Sequence, residues 1–151
     1  MNNQYTRDFG KVDLVETLSK FYSPLFGRQI DPLTDILVTT GAYCALNIAT
    51  QVFVDPGDEV IIIEPYFDCY APMVKLAGGI AKFIPLVPRG DKSSTANWKL
   101  DFDRLDRLIS KKTKAIILNN PGNPLGKVWR KEELETLSKI IIRHDICSNR
   151  S

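Results

Sequence analysis

The chain is poor in the residues that usually build metal centres and triads. It holds one histidine, His144, and three cysteines, Cys44, Cys69 and Cys147, in 151 residues. A single histidine with no cluster of cysteines or carboxylates argues against a zinc site and against a histidine-based triad. His144 reads instead as a cation at a helix C-terminus. The cysteines form no C-x-x-C pair. Their odd number, with no signal-like apolar stretch in the opening Met1-Asn2-Asn3-Gln4, reads as reduced thiols in an intracellular protein. Cys44, in an apolar helical stretch, reads as packing. Long apolar runs are also missing, which excludes a membrane-spanning helix. Strong charge of one sign is missing too. With 20 Lys and Arg against 18 Asp and Glu, the net charge of +2 is too small to argue for nucleic acid or an anionic membrane. Lys111-Lys112-Thr113-Lys114 reads as a solvated loop. Neither the G-x-G-x-x-G fingerprint nor a P-loop occurs, which argues against a nucleotide as ligand.

What is there is an ordinary globular composition, 44% apolar and 25% charged, long enough for one domain with a buried core. Leu14, Val15, Leu18, Phe21, Tyr22 and Leu25 recur at helical spacing and stop at Gly27. Ile36 to Thr39 reads as a short strand, and Gly41 opens a helix with Leu46, Ala49 and Val52 on one face. After the turn Asp55-Pro56-Gly57-Asp58, Val60 to Ile63 is a continuous β-branched run, the mark of a strand buried on both faces. A helix over Tyr70 to Ala77 ends at Gly78-Gly79, and Ile80 to Leu86 reads as the next strand. Pro88 to Asn97 is polar and loop-like; its Arg89-Gly90-Asp91 is a chance match to an adhesion tripeptide. Asp101 is an N-cap candidate for a helix carrying Phe102, Leu105, Leu108 and Ile109. The apolar run Ala115 to Leu118 is a further strand. Lys131 to His144 is the last helix, with Leu134, Leu137, Ile140 and Ile141 toward a core. The chain-end sequon Asn149-Arg150-Ser151 is discounted. Alternating buried strands and amphipathic helices predict an α/β fold: a mostly parallel sheet with helices on both faces.

Three strand ends carry residues suited to ligands. Thr39-Thr40-Gly41-Ala42-Tyr43 leads into a helix, whose first N–H groups and dipole favour a phosphate, and Gly41 permits close approach. Such junctions are also common structural turns. Glu64-Pro65-Tyr66-Phe67-Asp68-Cys69-Tyr70 follows the Val60 strand. Its aromatics could stack on a flat heterocycle or could serve as core. Asn119-Asn120-Pro121-Gly122-Asn123-Pro124-Leu125-Gly126-Lys127 follows the Ala115 strand. Its prolines suit any turn, but two asparagines held rigidly at a strand's carboxyl end offer donors and acceptors where open α/β sheets bind ligands.

In this order the three elements resemble the fold type I pyridoxal-phosphate aminotransferases of class I/II. The closest likeness is to the kynurenine aminotransferases, also called cysteine-S-conjugate β-lyases or glutamine transaminase K. It is carried by Asn3-Gln4-Tyr5-Thr6-Arg7, by Ile36-Leu37-Val38-Thr39-Thr40-Gly41-Ala42-Tyr43, by Asp58 to Tyr70, by Ser93 to Trp98 and by Thr113 to Val128. It runs from Asn3 to about Asp145. The resemblance implies pyridoxal 5'-phosphate as cofactor, amino acids and 2-oxo acids as substrates, and a homodimer. Backbone N–H groups of Ala42 and Tyr43, beside Gly41, would hold the cofactor phosphate, and Phe67 would stack on its ring. Asn123 would bond the ring's phenolic oxygen and lie near the substrate carboxylate. Asn119 would line the same pocket, and Tyr5 would reach the partner subunit's cofactor phosphate.

The same likeness predicts that residues 1–151 are part of the family's large, cofactor-binding domain, truncated at both ends, with residues 146–151 a divergent tail. The family's Asp-Glu-x-Tyr strand, its Schiff-base lysine and its substrate-gripping arginine have no counterpart after His144-Asp145. Ser19-Lys20-Phe21 imitates the lysine motif but precedes the phosphate loop, and Lys127 matches a position that is not the Schiff base. No catalytic lysine is assigned, and the chain alone is expected to be inactive. Alternatives from other classes are a non-catalytic partner of a full-length subunit and a truncated product without function. The expected compartment is the cytoplasm, with the mitochondrion as alternative.

Overall fold

A computed structural model describes residues 4–146. The sequon at Asn149, Cys147 and most of the proposed divergent tail lie outside the described residues. The chain divides into two compact units, Met1–Asn47 and Ile48–Ser151, each described by itself. The helices are α1 (Val12–Phe26), α2 (Ala42–Phe53), α3 (Tyr70–Leu76), α4 (Phe102–Leu108) and α5 (Lys131–Arg143). The strands are β1 (Glu59–Glu64), β2 (Ile80–Pro85), β3 (Val87–Pro88), β4 (Trp98–Lys99) and β5 (Thr113–Ile117). Helix α2 runs across the division.

In the first unit, α1 ends where the sequence places a stop. Gly27 adopts φ 63°, and its N–H returns to the Pro24 carbonyl. The helix is pinned through Val15, which is fully buried, and through Ser19, whose hydroxyl donates to the Ile30 carbonyl at 2.6 Å. Phe21, Tyr22, Leu25 and Phe26 are exposed. The strand expected at Ile36–Thr39 is not formed. The segment lies outside both sheets, and Val38 N–H donates to the Phe9 carbonyl. A strand needs a neighbour that stays alongside, and here the facing chain turns away at Gly10, which has φ 125°. A Cβ at Gly10 would stand 2.7 Å from Val38 Cγ2, so only glycine allows this approach.

The second unit is built on a three-stranded parallel sheet in the order β2-β1-β5. The β-branched run of β1 is buried on both faces, as its composition demands. Val60 and Ile62 face one way, into a cluster with Val54, Cys69, Tyr70, Met73 and Val74. Ile61 and Ile63 face the other, against Leu105 of α4 and Leu137 and Ile140 of α5. Helix α3 thus covers one face and α4 and α5 cover the other. The expected boundaries hold within a residue or two, including Asp101, whose carboxylate accepts the Arg104 N–H at 2.9 Å as an N-cap. The polar stretch from Pro88 to Asn97 is not all loop. Val87–Pro88 pairs antiparallel with Trp98–Lys99, and a 3-10 turn covers Thr95–Asn97.

The amino ends of the three strands are tied by one carboxylate. Glu59 of β1 accepts from the Ser110 hydroxyl at 2.6 Å and from Thr113 of β5 at 3.3 Å, and lies 3.4 Å from Lys82 Nζ of β2. The carboxyl ends are where the chain changes direction across the sheet. After β1 it crosses to β2 on one side; β5 arrives on the other. The loops that follow β1 and β5 therefore start next to each other and diverge, the switch-point geometry at which open α/β sheets take ligands.

Candidate functional site

The segment after β1 carries three rings, Tyr66, Phe67 and Tyr70, and a fourth, Phe83, joins them from β2. Tyr66 stacks on Tyr70 at 6.3 Å and on Phe83 of β2 at 5.6 Å, and Phe67 meets Tyr70 edge-on at 6.1 Å. The two readings open for Phe67 and Tyr70 are divided between them. Tyr70 is core, 7% exposed, whereas Phe67 is 38% exposed. An exposed aromatic backed by a buried one is a stacking surface that does not yield.

The loop after β5 comes to the same place. Its Asn119 side chain is hydrogen-bonded to the Tyr70 phenol. Burial, and next the neighbouring Cys69, push the Tyr70 phenol above its usual range; the Asn119 bond opposes them. The phenol is therefore neutral at pH 7. A small cavity of about 30 Å³ separates the two loops, lined among others by Tyr66, Tyr70, Asn119, Gly122, Asn123 and Lys127. That volume suits a water molecule and excludes a ring. Phe67, on the loop after β1, and Asn123, on the loop after β5, are both exposed.

The loop holds its shape through its own backbone. Gly126 N–H donates to the Gly122 carbonyl at 2.6 Å, and Gly122 N–H to the Lys127 carbonyl at 2.9 Å. Asn120 accepts the Trp129 N–H on its side-chain oxygen at 3.2 Å, so this asparagine is structural. Asn119-Asn120-Pro121 and Gly122-Asn123-Pro124 each include a cis peptide, before Pro121 and before Pro124.

The burial and pairing of one charged residue of this loop were not legible in the sequence. Lys127, in a Gly-Lys pair that reads as a turn, is 1% exposed. Its ammonium donates to both oxygens of Glu133, at 3.1 and 3.0 Å, and stands 4.9 Å from the Trp129 ring centre. Glu133 also accepts the Arg130 N–H at 3.0 Å and the Lys99 ammonium at 3.3 Å. Burial alone would raise the Glu133 carboxyl; the Arg130 N–H, Lys127 and Lys99 outweigh it and hold the group below its usual range. The one sequence signal was Glu133 three residues into α5, from where a carboxylate can reach back to the N-cap N–H.

In the first unit, Gly41 sits at φ 93° with open space where a Cβ would be, and its carbonyl accepts the Ala45 N–H. Ala42 and Tyr43 are the first two residues of α2, so their N–H groups fall among those without an intrahelical acceptor. Both are exposed, as is Tyr5. The decoy Lys20 is exposed on α1. His144 caps the C-terminus of α5 and pairs with Asp106 of α4 at 2.6 Å; Arg143 pairs with the same carboxylate. No cluster of metal-ligating residues occurs among the described residues. No helix among them is long and apolar enough to cross a membrane.

Phe67, Asn119 and Asn123, singled out in the sequence, are thus gathered at the adjoining ends of β1 and β5. The residues suit a flat, polar-edged ring: an exposed aromatic face on the loop after β1, and asparagine amides on the stiff loop after β5.

Known proteins with this pattern are aminotransferases. The chain is 49% identical over 150 residues to human kynurenine–oxoglutarate transaminase 1, covering 97% of this chain and 36% of that protein. It is 50% identical over 146 residues to rat kynurenine–oxoglutarate transaminase 3, covering 95% and 32%. The fold matches N-succinyldiaminopimelate aminotransferase from Mycobacterium tuberculosis with a TM-score of 0.86 and 37% identity, over 95% of this chain and 36% of that one. The chain spans about a third of the length of these relatives. Residues 1–147 match the family of class I and II aminotransferases, and the chain belongs to that family.

Proposed function

We propose that residues 1–151 form part of the large, cofactor-binding domain of a pyridoxal-phosphate-dependent aminotransferase of the kynurenine–oxoglutarate transaminase or cysteine-S-conjugate β-lyase type. The whole enzyme would move an amino group from an amino acid to a 2-oxo acid and act as a homodimer. The observation that carries the reading is the meeting of Phe67, Tyr70, Asn119 and Asn123 at the ends of two adjacent strands. Both described cysteines are free thiols, which suits a reducing compartment such as the cytoplasm.

Bound pyridoxal phosphate supplies an electron-withdrawing ring and a carbonyl able to carry the amino group. The chain's own residues bind and orient. In the first unit, the N–H groups of Ala42 and Tyr43 would take a phosphate, with Gly41 keeping the approach open. Tyr5 would offer its exposed phenol to the partner subunit's cofactor phosphate. In the second unit, Phe67 would lie against the ring face. Asn123 would donate to the ring's phenolic oxygen and stand near a substrate carboxylate. Asn119, steered by the neutral Tyr70 phenol, would close the rim. The reading assigns no lysine of the chain to carry the cofactor covalently, and the 151 residues by themselves are proposed to turn over no substrate.

Pyridoxamine phosphate, an amine that cannot condense with lysine side chains, is the suitable probe. Titration into the isotope-labelled chain should shift the Phe67 ring and Asn123 side-chain amide signals. Asn123→Ala and Phe67→Ala should each weaken binding about three- to tenfold, the loss of one hydrogen bond or one stacked ring. Binding unchanged in both variants would overturn the site assignment.

A further inference from the structure

We infer that Lys127 and Glu133 are positioning residues for Asn123: their buried ion pair ties the asparagine loop to the first turn of α5 and so sets where the Asn123 amide is presented. This rests on the reading of Asn123 as a ligand-facing residue.

The ion pair is out of place for a turn. A lysine after glycine in an exposed loop has every reason to stay in water, and burying an ammonium is costly unless it is fully partnered. Here the ammonium is withdrawn from solvent and bonded to both Glu133 oxygens. Glu133 is in turn fixed from three sides, by Lys127, by Lys99 of β4 and by the Arg130 N–H at the start of α5. The carboxylate is therefore a rigid post.

The same residue that reaches this post also grips the loop. The Lys127 carbonyl accepts the Gly122 N–H, and the neighbouring Gly126 N–H donates to the Gly122 carbonyl. Gly122 is thus held at both ends, and Asn123 is the next residue. Two positions on, Trp129 donates its N–H to Asn120, and its ring faces the Lys127 ammonium. Every one of these bonds converges on residues 126–129, which are anchored to the body of the unit by the Trp129 ring, buried with Ile61, Leu105 and Leu137, and, at Lys127 itself, by the ion pair. Lys127 lines the cavity beside Asn119 and Asn123, yet its ammonium is committed to Glu133. Its role is to place another residue rather than to touch a ligand.

A device that only stabilises α5 would make a different prediction from one that places Asn123. Buried ion pairs can often be replaced by neutral groups of similar shape without loss of stability. Lys127→Met/Glu133→Gln keeps the volume, and the introduced amide oxygen still accepts the Arg130 N–H. The double variant should melt close to the parent. Its Asn123 side-chain amide signals should nevertheless shift or broaden, and its affinity for pyridoxamine phosphate should fall about fivefold or more, a misplaced hydrogen bond. Glu133→Gln alone, the milder change, should move the same amide signals in the same direction. Unmoved Asn123 signals in both folded variants would overturn the inference. That result is separate from failure of the site reading, which would appear as parent-like affinity in Asn123→Ala.

Discussion

Replacing Tyr70 by phenylalanine removes one oxygen atom from the centre of the proposed site and leaves the packing of the ring in place. The ring keeps its contacts with Tyr66 and Phe67. The Asn119 side chain loses its partner. One net hydrogen bond is worth about 1 kcal/mol, and the half-buried amide left behind adds a part of its desolvation cost. At pH 7 the variant should be about 1–2 kcal/mol less stable, a fall of about 2–8 °C in melting temperature. The alkaline side should behave in the opposite sense. Burial holds the folded phenol above the ordinary tyrosine value of about 10. Below that value the phenol is protonated in both folded and unfolded chains and adds no pH dependence. Above it, the unfolded chain loses the proton first, and parent stability falls with a slope of up to about 1.4 kcal/mol per pH unit until the folded pKa is passed. Tyr70→Phe lacks this group, so its stability deficit should shrink between about pH 9 and 11. Denaturant titrations of both proteins across that range measure it. A deficit that stays constant or grows with pH would refute the assignment of the buried phenol as the titrating group.

Ile62→Ala, at a fully buried position between β1 and α3, should cost about 2–5 kcal/mol in denaturant unfolding; a loss below about 1 kcal/mol would contradict the packing described. Glu59 is held below its usual range by the Ser110 hydroxyl first, with Lys82 and Thr113 assisting against burial. Its contribution is present above the ordinary glutamate value and lost as pH falls through the lower folded one. Glu59→Gln should therefore lower stability at neutral pH and flatten the decline below about pH 4.3; an acid limb as steep as the parent's would show that the carboxylate is not the cause.

The elements written most plainly in the sequence are those whose environment is uniform. Val60 to Ile63 is β-branched at every position because both faces of β1 are covered, and Leu137 and Ile140 recur at helical spacing because α5 has one buried side. The asparagine loop stood out because a turn explains its prolines but not two asparagines held at a strand end. Ile36 to Thr39 misled because an apolar run records burial or extension, and the neighbour that makes a strand is contributed by distant sequence. Lys127 was illegible for a related reason. Lysine ordinarily marks solvent, and the Glu133 carboxylate that reverses this is brought up by the turn into α5. Phe67 and Tyr70 share one motif, and only the register of α3 decides which ring goes inside.

Strand β1 lies between β2 and β5, under α3 on one side and α4 and α5 on the other. Its amides should be the last in the unit to exchange with deuterated solvent, because releasing them requires parting the sheet rather than fraying an edge. The Phe67 loop springs directly from that strand. A small molecule resting on this ring, as proposed, would therefore be supported by what is expected to be the slowest-opening stretch of backbone in the unit, and breathing of the outer helices would reach it last.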